Sequence, residues 1–207
     1  MNVILMHYTP LEVCSHAIRT CWQSFNKSDN GGEKDRELIE RVGNKYKHSS
    51  TLEHLVYTFY IKGISRAVLQ ELARHRVASL SVKSTRYTLK ELKSEEPFSI
   101  ENLKRVEKYV VLTKNESVNS AIINSLNGLQ NLLKSGISND IAKYALPEAY
   151  KTELTWTINA RSLQNFFSLR TSKSALWEIR ELAYLIYENL PDKHKYLFKD
   201  FVNKKNG

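Results

Sequence analysis

The stretch Glu71–Lys90, ELARHRVASLSVKSTRYTLK, decides how this chain folds around its chemistry. Upstream, Ile64, Val68, Leu69 and Leu72 recur at helical spacing behind Ser65, a residue type that caps helices. The helical period fades after Leu72, and Ser, Val and Thr dominate after Ala78. The pattern predicts a helix that ends near Arg74 and continues as extended chain. On a helix, Arg74 and Arg76 would point about 200° apart. In an extended segment residues two apart share a side, so Arg74 can converge with Arg76, and Ser84 with Arg86. The stretch carries Arg74, Arg76, Lys83, Arg86 and Lys90 with no acid after Glu71. Three uses fit such a run: a solvated basic face, a nucleic-acid contact, or a pocket for a small phosphorylated ligand.

Outward from this run, residues 2–8 read as a strand, and Leu11, Val13, Cys14, Ala17, Ile18 and Cys21 as the apolar face of a helix opened by Pro10. Both cysteines are expected there as buried, unpaired thiols. EKDRELIERVGNKYKH (33–48) places acids first and bases last, which suits a helix dipole. EHLVYTFYIKG (53–63) alternates Leu55, Tyr57, Phe59 and Ile61 on one face, a strand. Residues 100–134 are helical with a break near TKNES, and a short helix over 138–145 stops before Pro147. TELTWTIN (152–159) alternates as a half-buried strand, and ARSLQNFFSL returns to helix. Leu176, Ile179, Ala183, Ile186 and Leu190 mark an amphipathic helix, followed by a short last helix. The expectation is an α+β fold, mostly helical with a small, mainly antiparallel sheet. It forms one domain over 1–203, and 204–207 are a disordered tail.

The 207 residues suffice for a sizeable core, and 42% hydrophobic with 26% charged residues reads as a globular protein. No apolar run approaches a membrane span, and the N-terminus lacks the marks of a signal peptide, so a cytoplasmic protein without a membrane partner is expected. The net charge of +9 is uneven: windows 72–90 and 154–177 contain no acid. A basic nucleic-acid-binding protein is the alternative that this charge raises. The aromatics fall on core-like periodicities rather than between the basic residues as stacking platforms, which weighs against nucleic acid.

Two further blocks stand out. In INARSLQNFFSLR (158–170), Asn159 lies where strand becomes helix, and Arg161 and Asn165 share a helical face. A helix start with such neighbours suits an anion or an amide edge. In HSSTLEH (48–54) the histidines are not spaced as in a zinc helix, and no cysteine pair has zinc spacing, so no metal site is expected. No glycine-rich phosphate loop or nucleophile elbow occurs, so a bound anion must meet side chains.

RHRVASLSVKSTRY (74–87) resembles the signature of the flavin-dependent thymidylate synthases, Arg-His-Arg-x-x-Ser-x-Asn-x-x-Ser-x-Arg. Arg74, His75, Arg76, Ser79, Ser84 and Arg86 match it, and Ser81 holds the Asn position. HSSTLEH is similar to that family's His-x-Ser/Thr-x-x-Glu-His segment, and NARSLQNF to its Asn-Ala-Arg-Ser-Leu-x-Asn-Phe segment. The resemblance implies methylation of dUMP to dTMP, with 5,10-methylenetetrahydrofolate as carbon donor and NADPH as reductant through FAD, in a homotetramer with shared active sites. By the same resemblance, Ser50, Arg74, His75, Arg76, Val82, Asn159, Ala160, Arg161 and Asn165 would hold FAD. Glu71, Arg74, Ser84, Thr85, Arg86 and Lys143 would hold dUMP. Arg170 would bind the uracil and activate it by stabilising negative charge at N3. Val82 and Glu71 stand where relatives often carry Glu and Gln, and Lys143 where many carry Arg.

Overall fold

A computed structural model describes residues 1–203; the tail expected at 204–207 lies outside the described residues. The chain is α+β, with a four-stranded antiparallel sheet in the order β1-β2-β4-β3. Its elements are β1 (Asn2–Tyr8), α1 (Leu11–Thr20), α2 (Glu33–Ile39), β2 (Val56–Ser65), α3 (Arg66–Leu72), β3 (Ala78–Val82) and α4 (Thr85–Thr88). These are followed by α5 (Leu103–Val106), α6 (Glu116–Lys134), α7 (Asn139–Ala142), β4 (Lys151–Asn159), α8 (Ala160–Arg170), α9 (Trp177–Glu188) and α10 (Asp192–Lys195). No helix among the described residues is long and apolar enough to cross a membrane.

The chain forms two compact units. The first comprises Met1–Ile61, Glu71–Leu80 and the chain from Thr155 onward, and the second Lys62–Gln70 with Ser81–Leu154. In the first, the predicted alternation holds: Leu55, Tyr57, Phe59 and Ile61 are fully buried, as is Trp156, with Ile158 almost so. Phe59 packs tilted against Trp156, and Trp156 meets Phe166 edge to face, with centroids 6.2 and 5.1 Å apart. Such pairs add about 0.5–1.5 kcal/mol beyond area burial. Asn159 caps α8 by accepting from the Ser162 N–H at 2.9 Å, and the Ala160 N–H donates to Leu55 O at 2.8 Å, tying the helix start to the chain ahead of β2.

The predicted helix over 33–48 is α-helical only to Ile39 and widens to a π-helical turn over Glu40–Lys45. Gly43 explains the wide turn's packing. A Cβ there would meet Leu52 Cδ2 at 2.8 Å, so glycine lets the 3-10 turn Ser49–His54 approach. Cys14 is buried, donates to Thr51 O at 3.2 Å, and burial pushes its thiol up to about 12. Cys21 departs from expectation: α1 stops at Thr20, and the cysteine at its C-cap is exposed.

In the second unit, α6 packs Ile122, Ile123, Leu126, Leu129 and Leu133 onto Leu89, Leu92, Phe98, Val106, Val110 and Tyr150. Asn115 caps α6 through the Val118 N–H, which is why the helical pattern breaks near TKNES. Ser65 Oγ accepts from the Val68 N–H at 3.1 Å, the predicted cap of α3.

Candidate functional site

The Arg-His-Arg run lies between α3 and β3, in the first unit. The helix ends at Leu72, and the chain from Arg74 to Val77 is neither helix nor strand. Arg74 lies in the turn that follows α3, where the His75 N–H donates to Leu72 O at 3.1 Å; Arg74 and Arg76 are exposed while His75 between them is 7% exposed. Among the described residues Arg74 and Arg76 make no ion pair or hydrogen bond. Two unpartnered guanidinium groups on one short segment suit an anionic ligand.

His75 turns the other way. Its ring meets Phe166 edge to face at 5.1 Å, and its Nε2 accepts from Arg170 Nε at 3.0 Å. Burial first, then the positive charges of Arg170 and Arg74, lower its pKa to about 4 against a counter-pull from Glu71. Arg170, in the last turn of α8, also donates through Nη1 to Glu71 Oε2 at 2.5 Å and through Nη2 to Glu71 O at 3.2 Å. Arg170 and Glu71 side chains are 15% and 33% exposed. Sequence positions 71, 75 and 170 thus meet at one point of the first unit. In sequence the family resemblance brings Glu71 and Arg170 to one nucleotide, while no local spacing announces their hydrogen bonds or the one to His75.

The same unit carries Ser50 and Asn165, both exposed, and Asn159 and Ala160 at the start of α8. Arg161 pairs with Glu53 at 2.7 Å. Glu53 lies 108 residues from this partner, and no local spacing announces the pair. These groups fit a dinucleotide cofactor: free guanidiniums for a pyrophosphate, and a capped helix start with amide side chains for a heteroaromatic edge.

The second unit holds Val82, Ser84, Thr85, Arg86 and Lys143. Ser84 and Arg86 do not share an extended face as expected. β3 ends at Val82, and Thr85–Thr88 turn into a helix with Ser84 at its N-cap. Thr88 Oγ1 donates to Ser84 O at 3.0 Å, which closes that turn. Arg86 forms a two-point ion pair with Asp140 at 2.5 and 3.0 Å, and its carbonyl accepts from Asn139 Nδ2 at 2.7 Å. Asp140, 54 residues on, was another partner invisible to spacing. Lys143 follows α7 directly, with its Nζ 6.0 Å from the Tyr144 ring centroid. Ser84 and Arg86 are exposed, Thr85 and Lys143 half-buried.

An α+β fold with free arginines beside the Arg170–Glu71–His75 cluster suits an enzyme that handles anionic nucleotides, and comparison with known proteins narrows the class. Residues 4–194 match the family described as thymidylate synthase complementing protein. The flavin-dependent thymidylate synthase of Wolinella succinogenes is 69% identical over 198 residues, 96% of this chain and 97% of its own length. That of Campylobacter jejuni is 64% identical over 204 residues, 99% of each chain. A crystal structure of the flavin-dependent thymidylate synthase of Helicobacter pylori, complexed with FAD and dUMP, superposes with a TM-score of 0.94 at 57% identity, covering 98% of this chain and all of that one. The chain belongs to the family of flavin-dependent thymidylate synthases.

Proposed function

We propose that this chain is a flavin-dependent thymidylate synthase that converts dUMP to dTMP. The observation that carries the reading is Arg170: a half-buried guanidinium whose Nε and both Nη groups are held by His75 and Glu71. Arginine carries five N–H donors and stays charged at working pH. The three hydrogen bonds leave one N–H on each Nη for a ligand. Such a fixed cation stabilises the negative charge that develops on a uracil ring when its C5 becomes nucleophilic.

Ser50, Arg74, Arg76, Asn159, Ala160, Arg161 and Asn165 are assigned to FAD, which when bound supplies the redox and one-carbon transfer chemistry. Arg74 and Arg76 meet its pyrophosphate. His75 is grouped with them and lies inward, and Val82 offers the flavin an apolar or backbone contact. Ser84, Thr85, Arg86 and Lys143 are assigned to the nucleotide's phosphate region, with Arg74 contributing. Arg170 and Glu71 take the base. For Arg86 to receive a phosphate, its ion pair with Asp140 must open or share a donor.

NADPH is the proposed reductant and 5,10-methylenetetrahydrofolate the proposed carbon donor. The reading treats residues 1–203 as one catalytic domain in a homotetramer with shared active sites. Because its substrates are charged phosphate esters, we place the enzyme in the cytoplasm, with no nucleic-acid or membrane partner. The test is the visible spectrum of the purified protein, followed by thymidylate formation and NADPH oxidation with and without dUMP. A flavin spectrum and dUMP-dependent thymidylate formation are expected. Colourless protein that stays inactive after FAD is added overturns the reading.

A further inference from the structure

We propose that Glu71 and His75 are positioning residues for Arg170, a carboxylate and a neutral imidazole that together hold its guanidinium in one pose before the substrate arrives. The inference rests on the proposed function in one respect: it takes Arg170 as the group that meets the uracil.

The argument starts from donors and acceptors. Arg170 Nε can only donate, so His75 Nε2 at 3.0 Å must accept. The imidazole is therefore neutral, with its proton on Nδ1. Protonation at Nε2 would remove the acceptor and set two cations against each other. Three charged groups bear on this ring: Arg170 from α8, and Glu71 and Arg74 from the end of α3 and the turn after it. Both arginines oppose a charged ring and Glu71 favours it. The ring's own orientation is set by Phe166, one helical turn before Arg170 on the same helix. One helix thus supplies both the guanidinium and the wall that aims its acceptor.

Glu71 contributes twice. Its carboxylate takes Nη1 at 2.5 Å and its carbonyl takes Nη2 at 3.2 Å. That carbonyl lies in the last turn of α3, where helix carbonyls lack intrahelical donors and carry the negative end of the dipole. A free arginine side chain carries considerable rotamer entropy, which these contacts remove in advance. The carboxylate's charge is not needed for this task, since an amide oxygen accepts the same hydrogen bond. The charge itself opposes an anion forming on the base, so a glutamine should serve as well at position 71.

The test uses the FAD-loaded enzyme with dUMP as substrate, and the variants Glu71→Ala, Glu71→Gln, His75→Ala and His75→Gln. Thymidylate kcat, the KM for dUMP and flavin absorbance are read for each. Exchange of the Arg170 Nε–H is read by NMR on the wild type and His75→Gln. With FAD at saturation each alanine variant should lose about 10²-fold in kcat, the scale of a misplaced reacting group, and Glu71→Ala should keep its flavin absorbance. Each glutamine variant should recover to within about 10-fold of wild type, because its side-chain oxygen still accepts. His75→Gln should also keep its kcat at lower pH than wild type. The wild-type Arg170 Nε–H should exchange far more slowly than a solvated guanidinium. Alanine variants with wild-type kcat, glutamine variants as impaired as alanine, or an Nε–H exchanging at the solvent rate would each overturn the proposal. Wild-type protein that makes no thymidylate would count against the proposed function, and the Nε–H exchange would still decide the positioning claim.

Discussion

Two arginine–carboxylate pairs in the first unit use the same groups to opposite ends. Arg19 meets Asp35 Oδ1 through Nε at 3.1 Å and Nη2 at 2.6 Å, while Ser28 Oγ and the Gly31 N–H fill Oδ2 at 2.7 and 3.0 Å. Asp35 is fully buried. Burial alone would raise its pKa, yet the hydrogen bonds from Ser28, Gly31 and Arg19 overcome it and hold the carboxyl at about 2. That pair is closed: it fastens the loop before α2 to α1 and leaves the carboxylate no room for a ligand. Arg170 and Glu71 are partly open, with donors of the guanidinium left over. A saturated pair is structural, and an unsaturated one beside free arginines is poised for a ligand.

Breaking the closed pair should cost most. Asp35→Ala strands a buried guanidinium and is expected to destabilise the fold by about 3–5 kcal/mol in chemical denaturation, without changing the flavin spectrum of protein that folds. At the open pair, Arg170→Ala should lower thymidylate kcat by about 10²–10³-fold while FAD binding survives. Flavin lost together with activity would place Arg170 at the wrong site. Arg76→Ala should instead weaken FAD retention, read as flavin lost on gel filtration.

Acid should separate the two pairs in order. His75 titrates near 4 when folded, below its ordinary value of about 6.5. The unfolded chain therefore binds the proton first, and the stability linked to a neutral His75 is full above about 6.5 and lost as pH falls toward 4. Asp35, also depressed, contributes above about 4 and loses that contribution as pH falls through about 2. His194, buried and hydrogen-bonded through Nδ1 to Tyr57 OH at 2.8 Å, is lowered to about 4 by burial and by Lys193 and adds to the upper step. Thermal midpoints should fall between pH 6.5 and 4, with a shallower slope in His75→Gln. The smallest effect belongs to the exposed Arg86–Asp140 pair: Asp140→Ala should change stability by no more than about 1 kcal/mol. It should tighten dUMP binding in calorimetry, since Arg86 is then free. Weaker binding would show that Asp140 orients Arg86 rather than competing for it.

Much of the fold was legible because burial follows local period: Leu55 to Ile61 alternate, and Asn159 and Ser65 cap the helices their positions predict. Element boundaries are where local period and structure part. Cys21 fell just past a helix end, and Thr85–Thr88 became a helical turn where alternation suggested extended chain. The site was legible in composition but not in pairing. The acid-free windows pointed to Arg74, Arg76, Arg86 and Arg170, yet Glu53 and Asp140 lie too far along the chain from their arginines for spacing to reveal them.

By itself the sequence determined which segments could bury a face, where helices start, and that two basic segments lacked local acids. Those properties depend on neighbours within a turn or two of chain. Only tertiary structure decided which arginines stay open. Arg170 is held by Glu71 and His75 from almost a hundred residues away, Arg19 is sealed by Asp35, and Arg74 and Arg76 find no partner among the described residues. Pairing depends on which side chains the packed core brings within hydrogen-bond reach, and that is a property of three-dimensional distance rather than of separation along the chain.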